Sequence, residues 1–299
     1  MNHPLNLTTI LMLATPPFLW AGNAIAGRMM SQLASPFTVN LIRWSIALLI
    51  LLPLGHAVLR RDSGLWPHWK RFAVLGLLGI GSYNGLLYLA LHTSSPINVT
   101  LVGASMPIFM MAIGRIFFGV RFLTMQIIGA LLSVTGVVVV LCRGDWHALL
   151  TLRLVPGDVI MVVATIIWSV YSWLLARPKE PAAIRQNWAG FLLAQVIFGV
   201  AWSAVFAAGE WSLGLQKFHW GWPLALGLLY VSTAPAIIAL GLWGAGVARV
   251  GPNIASFFSN LIPLFTALMS SAFLGELPQL YHGAAFLLIV GGIVLSSRR

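Results

Sequence analysis

The side chains in this chain that could act on a small molecule are rings, amides and one arginine. Trp20 and Asn23 stand three residues apart, the spacing that places two side chains on one face of a helix. Trp168 and Tyr171 repeat that spacing, and Ser172 follows Trp168 by four. Tyr83, Asn84 and Tyr88 form a third group, and Ser105, Trp243, Ser256, Ser259 and Asn260 complete the polar and aromatic residues inside long apolar runs. An amide without a partner in an apolar medium costs roughly 2–7 kcal/mol. These groups must therefore face one another, a neighbouring helix or a wet cavity. Each alone has a plain reading, since serines and asparagines tie helices together and rings fill cores. Together they make a pocket for a ring-bearing polar molecule, with aromatic pairs contributing ~0.5–1.5 kcal/mol each. Arg43, inside such a run, could attract a carboxylate, whereas Arg115 can reach an interface along its own stem.

Covalent chemistry finds no comparable support. The six acids, Asp62, Asp145, Asp158, Glu180, Glu210 and Glu276, all avoid the middle of an apolar run. There is no phosphate-binding GxxxxGK[ST] loop, no HExxH and no GxSxG. The single Cys142 excludes an internal disulfide and a multi-cysteine metal site. No catalytic residue, metal ligand or cofactor is assigned. An integral membrane enzyme would need acids or histidines clustered at one face, and a channel would need a polar ring; both are set below a carrier.

The elements that must position these side chains follow from composition. Of 299 residues, 59% are hydrophobic and 8% charged, against about 25% charged in a soluble domain. Apolar runs cover about 8–27, 37–58, 72–92, 97–118, 123–141, 157–176, 188–207, 223–244, 253–274 and 280–296. Runs of this length satisfy their own backbone in lipid only as helices. The expected fold is an all-α polytopic membrane protein with ten transmembrane helices. The N-terminal MNHPLNLTTI lacks the basic region of a cleaved leader, so the first run is expected to remain a helix.

Charge orients the spans. Arg60, Arg61, Lys70, Arg71, Arg121, Arg177, Lys179, Arg185, Arg249, Arg298 and Arg299 fall on one side, and Arg28, Arg143, Arg153 and Lys217 on the other. The positive-inside rule then places both termini in the cytoplasm. Trp66, Trp69, Trp146, Trp211, Trp220 and Trp222 flank spans, where amphipathic rings settle. The net charge of +11 is topological rather than a nucleic-acid footprint, because no basic stripe carries interleaved aromatics.

The two halves repeat. At a fixed offset of 156, Pro96 falls on Pro252, Pro107 on Pro263, Gly119 on Gly275 and Gly136 on Gly292. Residues 1–145 and 146–299 are read as two five-helix repeats of one integral unit. An odd number of spans threads the second copy in the opposite direction, an inverted plan recurrent in secondary transporters, with the substrate at mid-bilayer between repeats. Pro107 and Pro263, symmetric and mid-span, are read as kinks for packing or gating.

The stretches Tyr88-Leu89-Ala90-Leu91-His92-Thr93-Ser94-Ser95-Pro96, Met106-Pro107-Ile108-Phe109, Ile262-Pro263-Leu264-Phe265 and Phe273-Leu274-Gly275-Glu276 resemble the drug/metabolite transporter superfamily, of the EamA type. The nearest subgroup is the YddG-like exporters of aromatic amino acids. One departure is that the Gly-Glu pair ending the fourth helix of each repeat survives as Gly275-Glu276 but is Gly119-Val120 in the first copy. The resemblance implies a secondary transporter in a bacterial inner membrane, exporting small metabolites, foremost amino acids, by alternating access. Its partners are that substrate and the lipid bilayer, not nucleic acid, and the oligomeric state is left open. With no acid mid-span, transport is expected to be facilitative. The rival substrate class is planar organic cations.

Overall fold

A computed structural model describes residues 6–94, 99, 102–142, 144–145, 147, 155–274 and 280–297. Pro96, Arg143, Trp146, Arg153, Gly275, Glu276, Arg298 and Arg299 lie outside the described residues. All regular structure among the described residues is helical, apart from one antiparallel bridge between Ala34 and Phe218. Six helices are long and apolar enough to cross a membrane: α1 (Leu7–Met30), α2 (Pro36–Leu59), α3 (Trp66–Thr93), α6 (Pro156–Ala176), α7 (Trp188–Ser212) and α8 (Trp222–Val250). Shorter apolar helices fall between and after them: α4 (Met106–Phe118), α5 (Thr124–Leu141), α9 in two pieces (Pro252–Phe258 and Leu261–Leu274) and α10 (Leu280–Ser297).

The ends are capped as the local sequence dictates. Asn6 accepts from the Thr9 N–H at 2.9 Å and Asn187 from the Gly190 N–H at 3.0 Å, each answering an orphan donor of a first turn. Gly119 ends α4 in the left-handed region at φ 63°. Pro107 and Pro263 do not bend a continuous helix. Pro107 sits in the first turn of α4, just after a turn at Ser105, and Pro263 in the first turn of the second piece of α9, just after a break at Ser259 and Asn260. A proline there forfeits no hydrogen bond, because first-turn N–H groups have no helical acceptor.

Two irregularities fall inside long helices instead. Leu77–Ser82 of α3 and Ala234–Ile238 of α8 are π turns, which mark functional sites with unusual frequency. Side chains answer the carbonyls they free. Asn40 of α2 donates to Ile80 O and Gly81 O at 3.1 Å each, and Trp20 of α1 donates to Pro235 O at 3.2 Å.

The helices pair in a pattern that repeats. α1 packs on α8 and α9; α6 packs on α3 and α4; α2 lies along α7, and α5 along α10. The last contact is backbone to backbone. A Cβ on Gly129 would stand 2.7 Å from Gly292 O, and one on Gly136 would stand 2.9 Å from Ala285 O. Seven residues forward on α5 is seven back on α10, so the two helices are antiparallel. At the 156 offset each of these contacts is the image of the other.

Both ends of the bundle are tied. At the end that carries the start of α1, Arg71 of α3 pairs with Glu180 in the α6–α7 connection, and Arg185 reaches the same carboxylate at 3.1 Å. Arg71 also donates to Leu174 O at 2.8 Å and to Arg177 O at 2.9 Å, closing the C-terminus of α6. Arg177 stacks 5.0 Å over Phe118, which lies against Trp173 at 5.1 Å. At the opposite end Glu210, in the last turn of α7, caps α2 from outside: it accepts from Ser35 Oγ at 2.6 Å, Thr38 Oγ1 at 2.9 Å, Thr38 N at 3.1 Å and Phe37 N at 3.2 Å. A helix N-terminus favours that charge. Trp66, Trp69, Trp211, Trp220 and Trp222 are exposed near helix ends, and Arg115 is exposed near the end of α4.

Burial pushes the Glu180 carboxyl up, but the Lys179 N–H and Arg71 outweigh it and hold it below its ordinary value of 4.5. A depressed carboxyl stabilises the fold above its ordinary value and loses that contribution as pH falls through the lowered one. Thermal unfolding in detergent should therefore weaken below about pH 4.5. Glu180→Gln, which leaves two arginines facing each other, should cost about 3 kcal/mol near neutrality and flatten that acid limb. Gly292→Val, which drives a side chain into Gly129 O, should cost about 2 kcal/mol in the same assay.

Candidate substrate cavity

The rings scattered through the sequence converge on Trp168. Its centroid lies 4.6 Å from that of Tyr83, 5.1 Å from Tyr171, 5.4 Å from Trp20 and 6.0 Å from Trp243. Trp20 and Trp243 are themselves 5.4 Å apart. Helical spacing places Trp168, Tyr171 and Ser172 on one side of α6, and Ser172 Oγ accepts from the Trp243 indole at 3.4 Å. Tyr83 follows directly on the π turn of α3, which resets the rotation of the rest of that helix. Tyr171 OH donates to Gln195 Oε1 of α7 at 2.9 Å.

Beside the rings runs a polar chain. Arg43 Nη1 donates to Tyr88 OH at 2.9 Å and to Asn23 Oδ1 at 3.3 Å. Tyr88 OH donates to Asn23 Oδ1 at 2.9 Å, and Asn23 Nδ2 reaches Asn84 Oδ1 at 3.5 Å. Arg43 is only 1% exposed. The two ion pairs among the described residues both belong to Glu180, so its partners in this chain are neutral. Its guanidinium also lies 5.0 Å over the Trp44 ring.

A cavity of about 650 Å³, partly open, adjoins both groups. Trp20, Asn23, Tyr83, Asn84, Trp168 and Pro263 line it, so six of the residues singled out in the sequence share one wall. Ser259, named with them among the polar residues of the apolar runs, is a seventh, and sequence reasoning missed the apolar remainder, including Leu87, Gly103, Met106, Met161 and Ile262. Arg43 joins through an adjacent smaller chamber, Tyr88 through its bonds to Arg43 and Asn23, and Trp243 and Ser172 through the ring cluster. Ser105, Ser256 and Asn260 are not on the cavity wall. Ser105 and Ser256 bond backbone carbonyls of their own turns, Val102 O at 2.5 Å and Asn253 O at 2.6 Å, and Asn260 donates to Ser133 Oγ of α5 at 2.7 Å. No cluster of three metal-ligating side chains occurs among the described residues. Its mix of rings and a few convergent polar groups is that of small-molecule sites.

The chain matches the model of the EamA-like transporter family twice, over residues 7–142 and 155–298. It is 26% identical to the aromatic amino acid exporter YddG of Ancylobacter novellus, across 82% of this chain and 79% of that protein. It is 25% identical to a probable terminal-alkyne amino-acid exporter of Streptantibioticus cattleyicolor, across 76% and 72%. A solved crystal structure superposes with a TM-score of 0.71 at 22% identity, covering 96% of each chain, and shares the fold.

Tyr88→Phe removes an acceptor from Arg43 and a donor from Asn23 while keeping the ring. A buried group losing its partner costs about 1–3 kcal/mol, so the thermal unfolding midpoint in detergent should fall. An unchanged midpoint would show that the chain of bonds contributes nothing to stability.

Proposed function

The chain belongs to the EamA-like transporter family and is a multi-pass membrane transporter of small molecules, not an enzyme; we propose that it exports amino acids, foremost aromatic ones, by alternating access. The observation that carries this is the five-ring cluster around Trp168, drawn from α1, α3, α6 and α8, of which Trp20, Tyr83 and Trp168 line a cavity that also presents Asn23 and Asn84. Stacking surface and amides together suit a ring with a polar tail. A planar cation is disfavoured beside Arg43, which has no acid partner among the described residues.

The proposed architecture is ten spans in two inverted five-helix repeats, 1–145 and 146–299. The double family match, the antiparallel α5–α10 contact and the π turns in both α3 and α8 support it. The membrane is the inner membrane of a bacterium, with the Arg71–Glu180–Arg185 end of the bundle cytoplasmic. The cavity then reaches toward the outer half, through Leu87, Val99, Gly103 and Met161, while the cytoplasmic end is tied shut. Glu180 and Glu210 are held in ties at helix ends, which supports a facilitative cycle without a mid-membrane proton carrier.

The test is counterflow in proteoliposomes preloaded with unlabelled tryptophan or phenylalanine. Labelled amino acid should enter, and Trp168→Ala, which strips four ring contacts, should raise the half-saturating concentration about tenfold or more. Absence of counterflow with any amino acid, together with efflux of a planar cation, would replace this reading. Flux driven by a pH gradient alone would remove its facilitative part.

A further inference from the structure

A smaller chamber, of about 230 Å³, shares Trp20, Tyr83, Asn84 and Trp168 with the cavity and adds Arg43 and Trp44. Its walls also include Gly79 and Pro235, one residue from each π turn. Nine buried side-chain polar atoms among the described residues lack a hydrogen-bond partner. Three of them are nitrogens: Arg43 Nε, Trp44 Nε1 and Trp168 Nε1. All three belong to residues that wall this one chamber. An indole N–H and a guanidinium N–H can only donate. Where buried donors gather around a positive charge that has no acid partner among the described residues, the missing partner is an acceptor with negative charge.

This chain does not supply that acceptor from the acids whose bonds are known. Glu180 is held by Arg71 and Arg185, Glu210 caps α2, and Asp158 accepts from Ser94 Oγ and Val155 N. We infer that the chamber is an anion site, built by Arg43, Trp44 and Trp168, which takes the carboxylate of the transported molecule while the ring of that molecule lies in the larger cavity across Trp168. The assignment to a substrate carboxylate rests on the exporter reading; the anion site itself does not. A free halide has the same chemistry, and the two sources separate by experiment.

The measurement is calorimetric binding to the purified full chain in detergent, with the bulky sulfonate buffer HEPES as the only other anion. The probes are tryptophan, indole-3-propionate (ring and carboxylate, no amine), tryptamine (ring and amine, no carboxylate) and sodium bromide. Indole-3-propionate should bind within about tenfold of tryptophan, and tryptamine should bind at least tenfold more weakly, the size of one charge-assisted hydrogen bond. Arg43→Gln, which removes the charge, should erase that preference. Trp44→Phe and Trp168→Phe, which keep an aromatic ring but lose the indole N–H groups, should reduce it several-fold and serve should the arginine variant not fold. Bromide that weakens tryptophan binding in the wild type but not in these variants shows that halide competes for the same site; bromide without effect assigns the site to carboxylate alone. Equal binding of tryptophan and tryptamine, unchanged in the variants, overturns the inference. If no amino acid binds, bromide that raises the thermal unfolding midpoint of the wild type but not of Trp44→Phe sustains the anion site without the exporter reading, and no bromide effect rejects both.

Discussion

Hydrocarbon offers no partner to a stray polar group, and each one left unanswered there costs several kcal/mol. The shape of this protein is largely the record of how that cost is met. Regular helix meets it for most of the backbone. Where the helix is broken, a side chain from elsewhere steps in: Asn40 on the carbonyls of one π turn, Trp20 on the other, Glu210 on the first N–H groups of α2, Arg71 on the last carbonyls of α6. These answers all come from a different helix. They therefore fix tertiary packing as well as local structure, and they place the aromatic residues that follow each break.

The same accounting explains how much was legible beforehand. The apolar helices and the ring convergence could be read because they rest on the length of apolar runs and on i, i+3 spacing. Trp20 and Trp168, separated in sequence by an entire repeat, do meet. The rotation of each helix about its axis was less legible. These segments are apolar nearly all round, so no polar face declares which side is inward. Hence Ser256 and Asn260 looked equivalent to Asn23 and Asn84, yet Asn260 bonds to Ser133 of α5 and Ser256 to its own turn. Trp44, beside Arg43 in the chain, gave no sign of an unanswered indole. The π turns left only faint traces, Gly79, Gly81 and Pro235, because composition carries no signature of one extra residue per turn.

Pro107 and Pro263 show a related limit. Their symmetric placement in the middle of an apolar run was visible, but a kink and a fresh helix start look alike in sequence. Both prolines prove to open a helix after a short break. That difference matters to the cavity, since Ser259, Ile262 and Pro263 reach its wall from the break in α9.

The glycine seam between α5 and α10 has a mechanical consequence. A contact made of backbone against backbone has no side chains to re-rotamer, so the helices can neither slide nor separate there without losing it. Displacement grows with distance from a fixed line. A relative motion that preserves this contact is a rotation about the seam, with α5 and α10 as its axle and the helices on the far side of the bundle travelling furthest. Leverage of that kind would let a few degrees of turning open one end of the cavity and close the other.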